Sequence, residues 1–219
     1  YSNCGRDNPE ELIKTMIGHG VQVLGITDHN YGIGEREVEY RNCMRTLAKK
    51  YADKIKVFCG IEISTLPNLC PEPSKTFEEY DYCLMENLDN PDAVMKRDIV
   101  AYTANYKCPV GIAHTDIFGL IAELGVEPVA YLKSLADNGI FWELNVNYDS
   151  IHCYREHEYV KTFYNSVQQQ QAVKQAGLYV SVGFDGHRME DYVVERVKQA
   201  NDFLQSCGIK NAVDLVKQK

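Results

Sequence analysis

Leu178-Tyr179-Val180-Ser181-Val182-Gly183-Phe184-Asp185-Gly186-His187 is the stretch whose reading decides the fold of this chain. Its first half is apolar and β-branched, the composition of a strand buried on both faces of a parallel sheet. Its second half puts a carboxylate and an imidazole two residues apart on the loop that leaves the strand. Functional groups in barrels and open α/β sheets collect where strands end. An Asp-x-His pair there offers hard and borderline donors to a divalent cation. A solvated loop would hold the same two residues, so the reading turns on how the other strands end.

Working outward, the same pattern recurs. Asn8 can cap a first helix, with Pro9 in its first turn, Glu10 and Glu11 at the positive end of its dipole and Gly20 closing it. Leu12, Ile13, Met16 and Ile17 form its buried face. A strand is expected from Val21 to Thr27, then a helix from about Glu35 to Ala52 and a strand from Ile55 to Ile63. After a Pro-rich loop (Pro67, Pro71, Pro73), Tyr80 to Met85 reads as a strand, and a helix is expected to begin near Pro91. Val110 to Ala113 is a strand, followed by a helix over about Pro128 to Ala136 and a strand over Ile140 to Val146. One long amphipathic helix is expected from about Glu156 to Ala176, with the run Gln168 to Gln171 inside its periodicity, and a last helix from about Asp191 to Ser206. This is a β-α unit repeated six times, the signature of a parallel sheet with crossover helices. An α/β chain seldom starts on a loop such as Tyr1-Ser2-Asn3-Cys4-Gly5, so a further strand is expected upstream. With it the count becomes seven, which suits a distorted TIM-like (β/α)₇ barrel better than a doubly wound sheet. No Gly-x-Gly-x-x-Gly or Gly-x-x-x-x-Gly-Lys loop supports a nucleotide fold.

The strand ends carry Asp28 and His29, Glu62, Glu86, His114 and Asp116, Glu143 and Asn145, and Asp185 and His187. Each alone is compatible with a structural role. Together they gather three of the six histidines and several carboxylates, with few Lys or Arg nearby, at one face of the sheet. Concentrating that much negative charge costs several kcal/mol unless cations neutralise it, so a metal cluster is the expectation. His19 falls at a helix C-terminus, where an imidazolium suits the dipole. His152 and His157 precede the long helix and are expected to face solvent, with a substrate contact as the alternative.

The 219 residues form one expected domain with a sizeable core. The net charge of −8 argues against nucleic acid or an anionic membrane as partner. No apolar run approaches the roughly 20 residues of a membrane span, and no secretory signal opens the chain. The eight cysteines (Cys4, Cys43, Cys59, Cys70, Cys83, Cys108, Cys153, Cys207) show no Cys-x-x-Cys, and Cys59 and Cys83 fall inside strands. A reduced, cytoplasmic protein is expected rather than a disulfide framework, with no obligate protein partner.

Four motifs, Gly25-Ile26-Thr27-Asp28-His29-Asn30, Gly60-Ile61-Glu62, Ile112-Ala113-His114 and Gly183-Phe184-Asp185-Gly186-His187, resemble in order and spacing the PHP (polymerase and histidinol phosphatase) family. The resemblance covers nearly the whole chain. It implies a distorted (β/α)₇ barrel, two or three ions of zinc, manganese or iron, and hydrolysis of phosphoesters. It would make Glu62 a bridge between two metals, with Asp185 on one of them, His114 on a second, and His29 and His187 on the third. Asp28 would orient His29 or a metal-bound water, so that Asp28 and Asp185 are the expected catalytic carboxylates. The family opens with a His-x-His at the end of its first strand, shortly before a Tyr-Ser-like loop; this chain starts at Tyr1-Ser2. The family often has a His after its fourth strand where this chain has Glu86, an oxygen donor that could substitute. The resemblance also implies a ligand near Cys4, from Cys4 or Asp7.

The expected activity is that of a metal-dependent phosphoesterase on a small phosphorylated substrate, histidinol phosphate being one candidate. Divalent ions lower the pKa of a bound water and polarise phosphoryl oxygens. Arg188 and Arg155 are the expected phosphate clamps, and Asn145 a further substrate contact. Two rivals remain open. An amidohydrolase-type C–N hydrolase usually needs a bridging lysine, which no strand end supplies; a degenerate barrel would bind metal without turnover. A polymerase proofreading module fits a short acidic chain less well.

Overall fold

The computed structural model describes residues 1–2, 5–72, 74–94, 98–148 and 156–217. Cys4, Pro73, His152, Cys153 and Arg155 lie outside the described residues. Seven parallel strands follow one another in sequence order across one sheet: β1 (Val23–Ile26), β2 (Lys56–Ser64), β3 (Tyr82–Glu86), β4 (Val110–Ile112), β5 (Ile140–Tyr148), β6 (Tyr179–Asp185) and β7 (Lys210–Asn211). The helices before, between and after them are α1 (Pro9–Gly18), α2 (Asn30–Ile33), α3 (Glu37–Lys50), α4 (Ile99–Thr103), α5 (Ile117–Leu124), α6 (Pro128–Asp137), α7 (Glu158–Asn165), α8 (Val167–Ala176), α9 (Val194–Cys207) and α10 (Ala212–Val216). Consecutive parallel strands, joined by helices everywhere but between β2 and β3 among the described residues, curl into the α/β arrangement of a TIM-like barrel. The six expected strands are all present. The seventh observed strand is β7, at the other end of the chain from the one expected. Its two residues, Lys and Asn, carry no apolar pattern to read, and they pair only with the first half of β6.

α1 starts where its signals place it: the Asn8 side chain accepts from the Glu10 amide, Pro9 opens the helix, and Leu12, Ile13 and Met16 are buried. The expected long helix from Glu156 is instead two. Ser166 takes an extended conformation and its hydroxyl accepts from the Gln169 amide, capping α8. A serine that offers the backbone an alternative partner ends one helix and starts the next. Near Pro91 the chain turns, with Asn90 accepting from the Asp92 amide, and the next described helix is α4, capped by the Asp98 carboxylate. Ahead of α3, the expected helix start at Glu35 is a 3₁₀ turn, Gly34–Arg36.

The main core lies between sheet and helices. Trp142 is 1% exposed; its ring meets Phe163 edge-on at 5.1 Å and its Nε1 donates to the Thr115 carbonyl at 3.0 Å. Burying such a ring is worth about 1.5–3 kcal/mol or more, and here it also fixes the loop after β4 against β5. Inside the sheet's curl, Tyr82 fills the floor. A Cβ on Gly25 would come within 2.3 Å of the Tyr82 hydroxyl, and one on Gly60 within 2.5 Å of its ring, so both glycines are there for the ring. The six described cysteines are all free thiols. Among the described residues no helix is long and apolar enough to cross a membrane.

Candidate metal centre

Parallel pairing brings the carboxyl ends of the strands to one rim, and the rim is where the polar strand ends meet. Past the end of β1 the ladder to β2 continues: the Glu62 amide donates to the Asp28 carbonyl at 2.9 Å, and His29 bridges to Glu62. Asn30 secures the same loop, accepting from the Ser64 amide at 3.0 Å and donating to the Leu69 carbonyl at 2.8 Å. Glu86 stands opposite Ser64 at the end of β3.

Glu62 lies between two imidazoles. Its Oε2 is 3.7 Å from His29 Nε2, and its Oε1 is 3.2 Å from His114 Nε2. Glu86 Oε2 is 3.6 Å from the same His29 nitrogen. Donor atoms of His29, Glu62 and Glu86 all lie within 4.8 Å of one another. The His187 ring is parallel to the His29 ring, 9° between planes and 6.4 Å between centroids. Asp185 ends β6 and lines the cavity inside the barrel together with Glu62, Glu143 and His187.

The electrostatics follow from burial. Burial alone would lower the pKa of His114, yet the hydrogen bond and charge of Glu62, with Asp185 and Glu143 adding, lift it to about 10. Burial pushes the Glu62 carboxyl up, but the bond to His114 and the positive charge of His114, His29 and His187 hold it below its ordinary value. Glu143 is raised to about 7, first by burial, then by Glu62 and Asp185, against the pull of His114. His114 itself has φ +25°, a conformation that costs a non-glycine residue about 1–3 kcal/mol and persists only where the surroundings impose it.

The Asp185–His187 loop is shaped by a residue the sequence did not single out. Asp191, fully buried, accepts from the amides of His187 and Arg188 at 2.9 and 2.7 Å. The Tyr192 hydroxyl donates to the Gly186 carbonyl at 2.9 Å. The amino-terminal loop closes on it: the Arg6 amide donates to the His187 carbonyl at 3.0 Å, and Asp7 accepts from the Met189 amide. Asp7 therefore contacts the loop's backbone, and Arg188 is half exposed, 3.6 Å from Glu190. The Asp28 carboxylate turns to the amino terminus, accepting from the Tyr1 amino group at 2.9 Å, the Ser2 amide at 3.0 Å and the Ser2 hydroxyl. Asn145 is wholly buried, its amide donating to the Tyr159 hydroxyl at 2.9 Å. Cys4 and Arg155 belong to the residues outside the description.

His157 corrects the sequence reading. It is 8% exposed rather than solvent-facing, with its ring 6.4 Å from that of His114 and nearly parallel to it. Its ring also meets that of Tyr159 edge-on at 5.1 Å, and nothing local in the sequence encodes these contacts. His19 is exposed at the C-terminus of α1, as expected.

The donors suit a divalent ion. Carboxylate oxygens and imidazole nitrogens are the ligands that zinc takes. Glu86 Oε1 is buried with no hydrogen-bond partner, an arrangement that a carboxylate tolerates poorly unless a cation satisfies it.

No family model matches this sequence, and no curated protein matches it. Among solved structures the chain is similar to a histidinol phosphate phosphatase from Lactococcus lactis subsp. lactis Il1403, complexed with zinc, L-histidinol and phosphate. The TM-score is 0.65 and the identity 17%, over 96% of this chain and 91% of that one. The two chains share a fold.

Proposed function

We propose that the chain is a metal-dependent phosphoesterase acting on a small phosphorylated substrate. The observation that carries the reading is Glu62, a buried carboxylate presenting one oxygen to His29 and the other to His114. Supporting it are the four motifs that resemble the PHP family and the fold shared with a phosphatase whose structure holds zinc and phosphate. His29, Glu62 and Glu86 would hold one ion; Glu62, His114 and Asp185 would hold a second, with His187 beside the first. When bound, the ions supply Lewis acidity and a hydroxide at neutral pH. Glu62 keeps both imidazoles aimed at the centre, and Asp191 sets the angle at which His187 enters it. Arg188, exposed at the rim, is free to exchange Glu190 for a phosphoryl oxygen.

The barrel's architecture supports one further part of this reading. The edge of β6 beyond Val180 has no strand beside it among the described residues, and β1 forms the other edge of the sheet. Between them lies a cavity of about 320 Å³ lined by Leu24, Gly25, Ser181, Val182 and Asn211. Ser181 Oγ is buried there without a hydrogen-bond partner. A parallel strand seated between these edges would close the barrel, and the resemblance would have it bring further histidine ligands to the rim.

Phosphomonoesters, phosphodiesters and cyclic amides, assayed with and without added zinc, test the reading. Turnover is expected with phosphoesters only, abolished by a chelator and inhibited competitively by inorganic phosphate. Phosphate reproduces the charge and oxygen geometry the site is built to hold. Turnover confined to the amides, or no turnover at full zinc occupancy, would overturn it.

A further inference from the structure

Glu143 is a carboxylate that the proposed ligand set leaves unused. It sits in the middle of β5, 6% exposed, and its Oε2 accepts from the backbone amide of His114 at 3.1 Å. That amide belongs to a residue at φ +25°, so the bond holds the strand end in a conformation it would not otherwise keep. The other oxygen is hemmed in: a Cβ on Gly183, two residues along β6 from Ser181, the register partner of Glu143, would come within 2.1 Å of Glu143 Oε1. The backbone around Glu143 is pinned from the outside of the barrel, because the Tyr159 hydroxyl donates to the Glu143 carbonyl at 3.2 Å and accepts from the Asn145 amide at 2.9 Å.

We infer that Glu143 is a positioning residue for the metal centre: it holds the His114 backbone so that the imidazole reaches Glu62, and Gly183 is glycine to leave room for it. The inference rests on the proposed function and deepens it. It also explains why a strand interior here carries a glycine, which a strand would otherwise avoid. An outer group that orients a ligand in this way is worth about ten- to a hundredfold in metal affinity.

The test is the zinc dissociation constant of the purified chain, measured by competition with a chromophoric chelator. Glu143→Ala, which removes the acceptor, is expected to weaken zinc by about ten- to a hundredfold. Glu143→Gln keeps an oxygen for the amide and is expected to stay within about threefold of wild type, since the interaction it must preserve is the hydrogen bond. Gly183→Ala should weaken zinc by pushing the carboxylate away, and should add little in the Glu143→Ala background, where the methyl group has room. Should Glu143→Ala fail to fold by circular dichroism, the other two single variants decide: a loss in Gly183→Ala with Glu143→Gln intact supports the inference. Glu143→Gln falling as far as Glu143→Ala, Gly183→Ala binding like wild type, or fully additive losses would each overturn it. A wild-type chain that binds no zinc would overturn the proposed function itself, and this inference with it.

Discussion

Glu62→Gln is expected to cost at least about a thousandfold in zinc-dependent phosphoesterase activity while leaving the metal-free fold intact. The side chain keeps its volume, so packing around it is preserved. What changes is chemistry at the centre of the cluster. Glu62 is within reach of both His29 Nε2, at 3.7 Å, and His114 Nε2, at 3.2 Å. An amide in its place offers one weak acceptor and one donor, and the donor opposes whatever cation the neighbouring atoms would hold. Far-UV circular dichroism separates loss of function from loss of structure, and zinc stoichiometry by elemental analysis should fall in parallel. Full activity in a variant that binds zinc normally would remove Glu62 from the site.

His114→Ala is expected to reduce turnover by at least about a hundredfold, and it makes a second, separable prediction. In the metal-free protein Glu62 holds His114 protonated well past neutrality, with its pKa raised from 6.5 to about 10. The stability this contributes is fully present below pH 6.5 and is lost as the pH rises through about 10. A metal ligand must give up that proton, so at pH 8 zinc binding to the wild type should release about one proton from this residue. Calorimetry in buffers of different ionisation enthalpy reads the release, which should be smaller by that proton in His114→Ala. Equal release in the two proteins would mean that the imidazole does not meet the ion.

The strand ends were the legible part of this chain. A parallel strand needs apolar residues along its length and nothing polar where it stops, so Asp28-His29, Glu62, Glu86, His114 and Asp185-x-His187 stand out against the runs before them. The structure brings His29, Glu62 and Glu86 within ligand distance of one another and His114 onto Glu62. What stayed hidden depends on the third dimension. Glu143 reads as one more strand-end acid until its side chain is seen to reach over Gly183 and to accept from the His114 amide. Asp191 lies in a polar stretch that resembles the start of a helix, and only the fold of the loop turns it inward onto His187. His157 is buried at the start of α7 with its ring against those of His114 and Tyr159, contacts that no local pattern announces. β7 is too short to carry an alternation of its own, and Ser166 could as readily have sat inside one long helix as between two.

The central claim is that a divalent ion binds between the ends of β1, β2 and β3, on Glu62. Anomalous diffraction at the zinc edge, from crystals of the wild-type chain grown with zinc and inorganic phosphate, tests it most directly. The account predicts a peak about 2.0–2.2 Å from His29 Nε2 and from a Glu62 oxygen, with phosphate against it on the side of Arg188. Zinc bound elsewhere on the chain, with no peak beside Glu62, would contradict it.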